Sequence, residues 1–147
     1  MLYVLVQPSL RDVIVWCEEA ADCYGVAART VNDRDLATLF DRLAHSRRAM
    51  ATVLGGFLEP TASPGAPPNR DPDMGQRLFG RLKAVLIGDP RRILIDRCER
   101  TDRAFARSLA EVRDSGWPDR LNCQLALFLG EVTAALGLLA VARVRVP

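Results

Sequence analysis

The sequence predicts an all-α fold, a bundle of four long helices arranged as two antiparallel helix hairpins joined by one long crossover. Apolar residues recur at intervals of three and four along four stretches of the chain, as on one face of an α-helix. Short polar links separate the first two stretches and the last two, which favours antiparallel neighbours. A Pro- and Gly-rich segment at 59–73 separates the two pairs. At 147 residues, 49% of them apolar, residues 1–147 have the length and composition of a single domain with its own core.

The first hairpin is predicted from two helical patterns and the turn between them. Ser9 follows Pro8 and is a suitable N-cap for the first helix. The turn is Asn32-Asp33-Arg34-Asp35, which is rich in turn formers and offers acidic groups to the start of the second helix. The predicted core face of the first helix is Leu10, Val13, Cys17, Ala20, Tyr24, Ala27 and Val31. That of the second helix is Leu36, Leu39, Leu43, Ser46 or Arg47, Met50, Val53 and Phe57.

The crossover and the second hairpin follow. The prolines of 59–73 prevent a continuous helix in that segment. The apolar pattern of 74–88 predicts a short extra helix within the crossover. Gly88 is suited to end that helix, and Pro90 to occupy the first turn of the next one. The third helix carries its apolar face on Leu94, Cys98, Thr101, Phe105, Leu109 and Val112. The fourth helix begins near Trp117-Pro118-Asp119. Its apolar pattern runs through Leu121, Gln124 or Leu125, Phe128, Glu131 or Val132, Ala135, Leu138 and Ala142, and a stripe of Leu121, Leu125, Phe128, Val132, Ala135 and Leu139 is enough to cover one core-facing side.

Two carboxylates lie beside the apolar face of the third helix. Glu99 and Asp102 are one helical turn apart, in a row that also contains Ile95 and Ala106. An ionised carboxylate among apolar neighbours is costly unless a cation or hydrogen-bond donors satisfy it. The identity of that partner is therefore the central functional question.

At Cys98-Glu99-Arg100-Thr101-Asp102 the chain resembles a bacterial family of ferritin-like four-helix proteins known as a domain of unknown function. The resemblance extends over 10–143 and includes a Leu-x-x-Leu-Phe start to the second helix at 36–40 and an arginine at Arg47. The family motif at the third helix is similar to Glu-Arg-Gly-Glu-Asp, from which Thr101, Asp102 and Arg103 depart. Leu127 departs too, since a polar residue is expected there. The resemblance implies a ferritin-like fold and no particular activity.

Three interpretations of the two carboxylates remain open. We favour a buried ion pair in which Arg47 donates to Glu99, Asp102 or both, because a guanidinium can satisfy a carboxylate with two bonds. The second is a metal site for iron or manganese. A di-iron site requires Glu-x-x-His pairs, which the sequence lacks, so its ligands would come from a set of candidates: Glu18, Asp22, His45, Glu99, Asp102 and Glu131. The third is exposure of both carboxylates to solvent.

Composition and charge exclude other classes of function. The net charge is +2 with both signs scattered along the chain, so a nucleic-acid partner is not expected. The single histidine lacks a nucleophilic partner and is expected at the surface or at a cap, so hydrolase chemistry is not supported. The four cysteines are dispersed, which favours buried free thiols in a reducing cytoplasm over a zinc site. The N-terminus has no pattern of a signal peptide. A membrane span at 125–142 is disfavoured because Gly130, Glu131 and Gly137 interrupt it.

The sequence thus predicts a non-catalytic interaction or stress-associated module with no resident cofactor. The alternatives are a metal-binding, ferritin-like oxidoreductase or iron-handling protein and a bundle that holds a small apolar ligand between its helices. A homodimer through the fourth helix is also predicted, because that helix carries a second, outward set of apolar residues: Leu127, Leu129, Leu136, Leu138 and Val141. The competing interpretation is that the short crossover helix covers this set.

Overall fold

The computed structural model describes residues 2–58, 89–113 and 116–146, with the backbone alone for residues 2–9. Within these ranges the chain forms four helices and no strand. They are α1 (Leu2–Thr30), α2 (Arg34–Gly55), α3 (Pro90–Arg113) and α4 (Asp119–Arg145). The prediction of an all-α protein with four long helices is confirmed. The predicted crossover loop at 59–73 and the short helix at 74–88 lie outside the described residues.

The helix boundaries follow from local hydrogen bonding. Asp33 is the N-cap of α2, and its side chain accepts a hydrogen bond from the backbone N–H of Leu36 at 3.1 Å. Pro90 opens α3 as predicted, and the preceding Asp89 accepts from the backbone N–H of Arg91 at 3.0 Å. Gly116 has φ +78°, a left-handed conformation that glycine adopts without steric cost, and two residues separate it from the start of α4.

The predicted start of α1 at Ser9 is wrong. The helix begins at Leu2 and contains Pro8 in its second turn. Residues 2–7 contain no helix breaker, so the helix extends upstream of the proline, which removes only one backbone N–H donor from a helix of 29 residues.

Two clusters of buried side chains define how the helices run. One cluster joins the second half of α1 with the first halves of α2 and α3 and the second half of α4. The other joins the first half of α1 with the second halves of α2 and α3 and the first half of α4. Hence α1 is antiparallel to α2 and to α3, α3 is antiparallel to α4, and α2 is parallel to α3. The end of α2 and the start of α3 therefore lie at opposite ends of the bundle.

The helices are not packed equally. α1 packs extensively on α2 and α3, and α3 packs on α4, whereas α2 and α4 contact each other only slightly. α1 and α3 are therefore the central pair of the bundle. One side of α4 consequently has few neighbours within the described part of the chain.

The predicted core face of α1 is confirmed, since all of its named residues are buried. On α4 the stripe that ends at Leu139 is buried, but Leu138, which the apolar pattern also placed toward the core, is 52% exposed. The face of α2 is partly wrong. Val53 is exposed and Phe57 is half-buried, while Phe40 and Leu54 are buried. The observed face advances from Leu36 to Leu54 in alternating steps of four and three, which matches the 3.6-residue turn, whereas the predicted face kept nearer to 3.5 and drifted off the core.

The prediction that the cysteines are buried also needs one correction. Cys17, Cys23 and Cys98 are buried free thiols, but Cys123 is an exposed free thiol. Cys123 lies two residues after Leu121, which places it away from the buried stripe of α4.

Candidate functional site

The centre of the bundle holds a buried ion pair between α2 and α3. Arg47 and Asp102 are both 0% exposed. Arg47 donates from Nε to Oδ1 of Asp102 at 3.0 Å and from Nη2 to Oδ2 at 2.7 Å. Its Nη1 donates to the hydroxyl of the adjacent Ser46 at 3.2 Å. The guanidinium thus binds the carboxylate with both prongs of its fork, the geometry in which an arginine–carboxylate pair is strongest.

Tyr24 of α1 completes this pair. Its hydroxyl donates a short hydrogen bond to Oδ2 of Asp102, and Cζ of Arg47 lies 5.6 Å from the centroid of its ring. The ring of Phe40 lies 6.2 Å away, centroid to centroid. Three helices therefore meet in one polar contact surrounded by apolar side chains. We call Tyr24, Arg47 and Asp102 the central triad.

The electrostatics of the central triad keep its proton donors protonated. Burial would lower the pKa of Arg47, but the hydrogen bonds and charge of Asp102 outweigh it and raise that pKa above its usual value. Burial and then the negative charge of Asp102 raise the pKa of Tyr24 well above its usual value. Neither group therefore releases its proton near neutral pH.

Glu99 belongs to a different network, on the α3–α4 side of the bundle. It is buried, and its Oε1 accepts from Nη2 of Arg103 at 2.6 Å, one turn further along α3. Nη2 of Arg143 on α4 lies 2.5 Å from Oε2 of Glu99 and also donates to Asp96. The structure thus brings Asp102 to Arg47 and gives Glu99 two other arginines. The interpretation that both carboxylates face solvent is wrong.

Two buried thiols lie side by side between α1 and α3. Sγ of Cys23 is 3.8 Å from Sγ of Cys98, and the hydroxyl of Thr101 donates to Sγ of Cys23 at 3.8 Å. The hydrogen bond from Cys98 lowers the pKa of Cys23, whereas burial raises the pKa of Cys98. Burial also raises the pKa of Cys17, from 9.0 to about 12.

The other candidate metal ligands are not gathered at the centre. Glu18 and Asp22 line a polar groove of about 310 Å³ between α1 and α2, together with Arg48 and Thr52. His45 is exposed and donates from Nδ1 to the carbonyl of Asp41 at 2.8 Å, and Glu131 is exposed on α4. Within the described ranges, no three Asp, Glu, His or Cys side chains are grouped closely enough to hold a metal ion. The candidate set is therefore split between separate places because its members lie on different helix faces.

Sequence reasoning missed three participants: Tyr24, Arg143 and the close approach of Cys23 to Cys98. Tyr24 was assigned to the core face of α1, and a signal was available, because a buried tyrosine hydroxyl usually finds a hydrogen-bond partner. Arg143 is one of nineteen arginines and carries no sequence signal that singles it out. The cysteines are 75 residues apart in sequence, so only the packing of α1 on α3 brings them together.

The outer side of α4 is the other notable surface. Leu127 is 63% exposed, Leu138 is 52% exposed and Val141 is 53% exposed. Among the described helices only α4 is long and apolar enough to cross a membrane by length and composition, a test that core helices of soluble proteins also pass. No family model, curated protein or solved structure matches the chain.

Proposed function

We propose that this protein is a ferritin-like four-helix bundle that serves as a non-catalytic interaction or stress-associated module, with the central triad in place of a di-iron centre. The observation that carries the proposal is the fully buried Arg47, bound by both prongs to Asp102. In a di-iron bundle the corresponding interior is lined by carboxylates and histidines that converge on the metals. A fixed positive charge there repels a cation and uses the carboxylate that would bind it.

The helix directions support the ferritin-like part of the proposal. α2 and α3 are parallel, and the end of α2 lies at the opposite end of the bundle from the start of α3, which is the arrangement of the helices in ferritin-like folds with two hairpins and one long crossover. Up-down-up-down bundles instead join antiparallel neighbours by short loops throughout. The sequence resemblance at Glu99 to Asp102 points to the same fold.

The chemistry of the central triad supports a non-catalytic role. A general acid or base works best when its pKa lies near the operating pH. Arg47 and Tyr24 both have raised pKa values, and both oxygens of Asp102 accept hydrogen bonds from them. The triad is thus suited to fixing α1, α2 and α3 against one another. The free, buried thiols favour the cytoplasm as its compartment.

Metal analysis tests this proposal against the metal-binding alternative. We expect protein expressed with added iron or manganese to contain much less than one metal per chain by elemental analysis, and its melting temperature to be unchanged by EDTA. Iron or manganese at one or more per chain, lost together with thermal stability on chelation, would establish the metal-binding function instead.

A pair of charge-reversal variants tests whether a metal ion can bind at the position of the central triad. Arg47→Glu places a second acidic group beside Asp102 and removes the repelling charge, whereas Arg42→Glu makes the same charge change at an exposed position of the same helix. If the triad occupies a former metal position, Mn²⁺ should raise the melting temperature of the first variant and leave that of the second and of the wild type unchanged. An equal effect of Mn²⁺ on both variants would count against that idea.

A further inference from the structure

We propose that Cys23 and Cys98 form a redox-active dithiol, which a hydroperoxide oxidises to a disulfide that links α1 to α3. This site lies apart from the central triad in its chemistry and does not depend on the proposed function. It adds a modification site to the core of the bundle.

The geometry places the two sulfurs where a disulfide can form. Their separation of 3.8 Å is near van der Waals contact, and a disulfide requires about 2.05 Å, so side-chain rotation and a small approach of the helices close the remaining gap. Small buried residues lie one turn away on α1, at Ala20 and Ala27. Cys17 and Cys123 have no cysteine partner in this position.

The surroundings of the two thiols give them different roles in the reaction. Sγ of Cys23 lies within hydrogen-bond distance of Sγ of Cys98 and of the hydroxyl of Thr101, and these contacts lower the pKa of Cys23. Arg97 adds a positive charge that acts in the same direction. Cys98 is more deeply buried, and burial raises its pKa. Cys23 is therefore the thiolate that reacts first, and Cys98 is the resolving thiol.

The reaction takes place in two balanced steps. In the first step the Cys23 thiolate attacks the distal oxygen of the hydroperoxide. The O–O bond breaks, the leaving alkoxide or hydroxide takes up a proton, and Cys23 becomes a sulfenic acid. In the second step the sulfur of Cys98 attacks the sulfur of Cys23. The S–S bond forms, the S–OH bond breaks, and the hydroxide leaves as water with the proton of Cys98. Two electrons pass from the thiols to the peroxide, and an external thiol restores the reduced state.

The closed disulfide would tie together the two central helices of the bundle. The disulfide would close a loop of 75 residues, so it would strongly reduce the conformational entropy of the unfolded chain. We expect the oxidised protein to melt roughly 5–15 °C above the reduced protein.

The experiment uses the full chain with Cys123→Ser, which removes the exposed thiol that could link two molecules. The reduced protein is treated with an equimolar amount of hydrogen peroxide at neutral pH and then alkylated with iodoacetamide. We expect the mass before alkylation to fall by 2 Da, two of the three remaining thiols to be protected, and peptide mapping to show a Cys23–Cys98 bond.

Two further variants assign the roles. In Cys98→Ser the sulfenic acid on Cys23 should persist and react with dimedone, whereas Cys23→Ser should consume peroxide at least tenfold more slowly. Cys17→Ser is the matched control, since it changes another buried thiol and should leave the disulfide intact. The proposal is overturned if peroxide leaves Cys23 and Cys98 unlinked in the folded protein, either as free thiols or with Cys23 converted to sulfinic acid.

Discussion

A single arginine, Arg47, introduces a buried positive charge into the core. Arg47 lies on the otherwise apolar face of α2, and its charge is balanced by Asp102 with a bidentate contact and no exposure to solvent. Buried ion pairs add little net stability compared with apolar residues of the same shape, but the loss of one partner leaves the other charge buried and unpaired. The ion pair therefore restricts which arrangements of the helices can form, and it adds little to the free energy of unfolding of the arrangement that does form.

A double-mutant cycle measures this asymmetry. We expect Arg47→Met to lower the free energy of unfolding by about 3–5 kcal/mol, because Asp102 is left without its cation. Arg47→Met combined with Asp102→Leu should recover more than half of that loss, since both charges are then absent. Urea denaturation followed by circular dichroism gives the four free energies.

Arg42→Met is the control for this cycle, because Arg42 is an exposed arginine on the same helix as Arg47. It should change the free energy of unfolding by no more than about 0.5 kcal/mol. If the effects of Arg47→Met and Asp102→Leu simply add in the double variant, the two side chains are not coupled.

The raised pKa values of two buried groups on α1 predict loss of stability at alkaline pH. Burial raises the pKa of Cys17 to about 12, and burial with the charge of Asp102 raises that of Tyr24 further. The unfolded chain releases these protons at their ordinary values of 9.0 and 10.0, so above about pH 9 the folded state binds more protons than the unfolded state. Stability is therefore fully present below pH 9 and falls as the pH rises.

Urea midpoints measured between pH 7 and pH 10.5 check this. The slope should approach about 1.4 kcal/mol per pH unit for each buried group once its ordinary pKa is passed. Cys17→Val should reduce the slope between pH 9 and pH 10, whereas Val at the exposed Cys123 should leave it unchanged. A flat profile up to pH 10.5 would show that these groups ionise equally in both states.

At the scale of the helices, the periodicity of apolar residues predicts which face of a helix is buried, because that property depends on the sequence of the one helix alone. The face of α1 was predictable because its apolar residues follow the 3.6-residue turn throughout. On α4 the pattern was ambiguous, because apolar residues such as Leu138 also lie outside the buried stripe. On α2 the same reasoning chose Val53 over Leu54, because a polar residue interrupts the face and the pattern can be continued from it in two ways. The rotation of α2 about its axis is decided by packing on α1 and α3, which no local pattern contains.

The candidate site was predictable to the same extent. A carboxylate partner on α3 could be predicted for Arg47, but the choice among Glu99, Asp102 or both stayed open, because both carboxylates border the same apolar face. The cationic partners of Glu99 could not be predicted. One of them, Arg103, lies on the surface of α3, and the other, Arg143, lies at the far end of α4. Tyr24 and the pair of Cys23 with Cys98 depend on how close α1 lies to α3. Contacts between helices, unlike faces of helices, require the relative directions and rotations of the helices.

At the scale of the whole molecule, α4 presents the largest feature that the described chain does not explain. Its buried stripe faces the core, while Leu127, Leu138, Val141 and Val144 are exposed on other sides. Glu131 is the only ionisable residue among the 22 positions of 121–142 other than Cys123. A soluble monomer rarely exposes an apolar surface of this kind, and twofold pairing of identical faces is the commonest way to cover it.

We therefore expect a homodimer in which the outer side of α4 packs against the same side of a second copy. Multi-angle light scattering at micromolar concentration should give twice the mass of the 147-residue chain. Leu138→Glu should produce a monomer, because two charges would be buried across the symmetric contact with no cation to pair them. Val53→Glu is the matched control, since Val53 is an exposed apolar residue on α2, and this variant should stay dimeric.

The alternatives give distinct results in the same preparation. A monomeric wild type would end the dimer proposal and leave the segment 59–88 of the same chain as the cover for α4. Flotation of the wild type with phosphatidylcholine vesicles would identify α4 as a membrane-binding or membrane-spanning helix, and Leu138→Glu would then reduce flotation. Only a dimer that stays in the aqueous fraction, and that Leu138→Glu but not Val53→Glu dissociates, places the twofold contact on α4, because the two variants add the same charge to different helices.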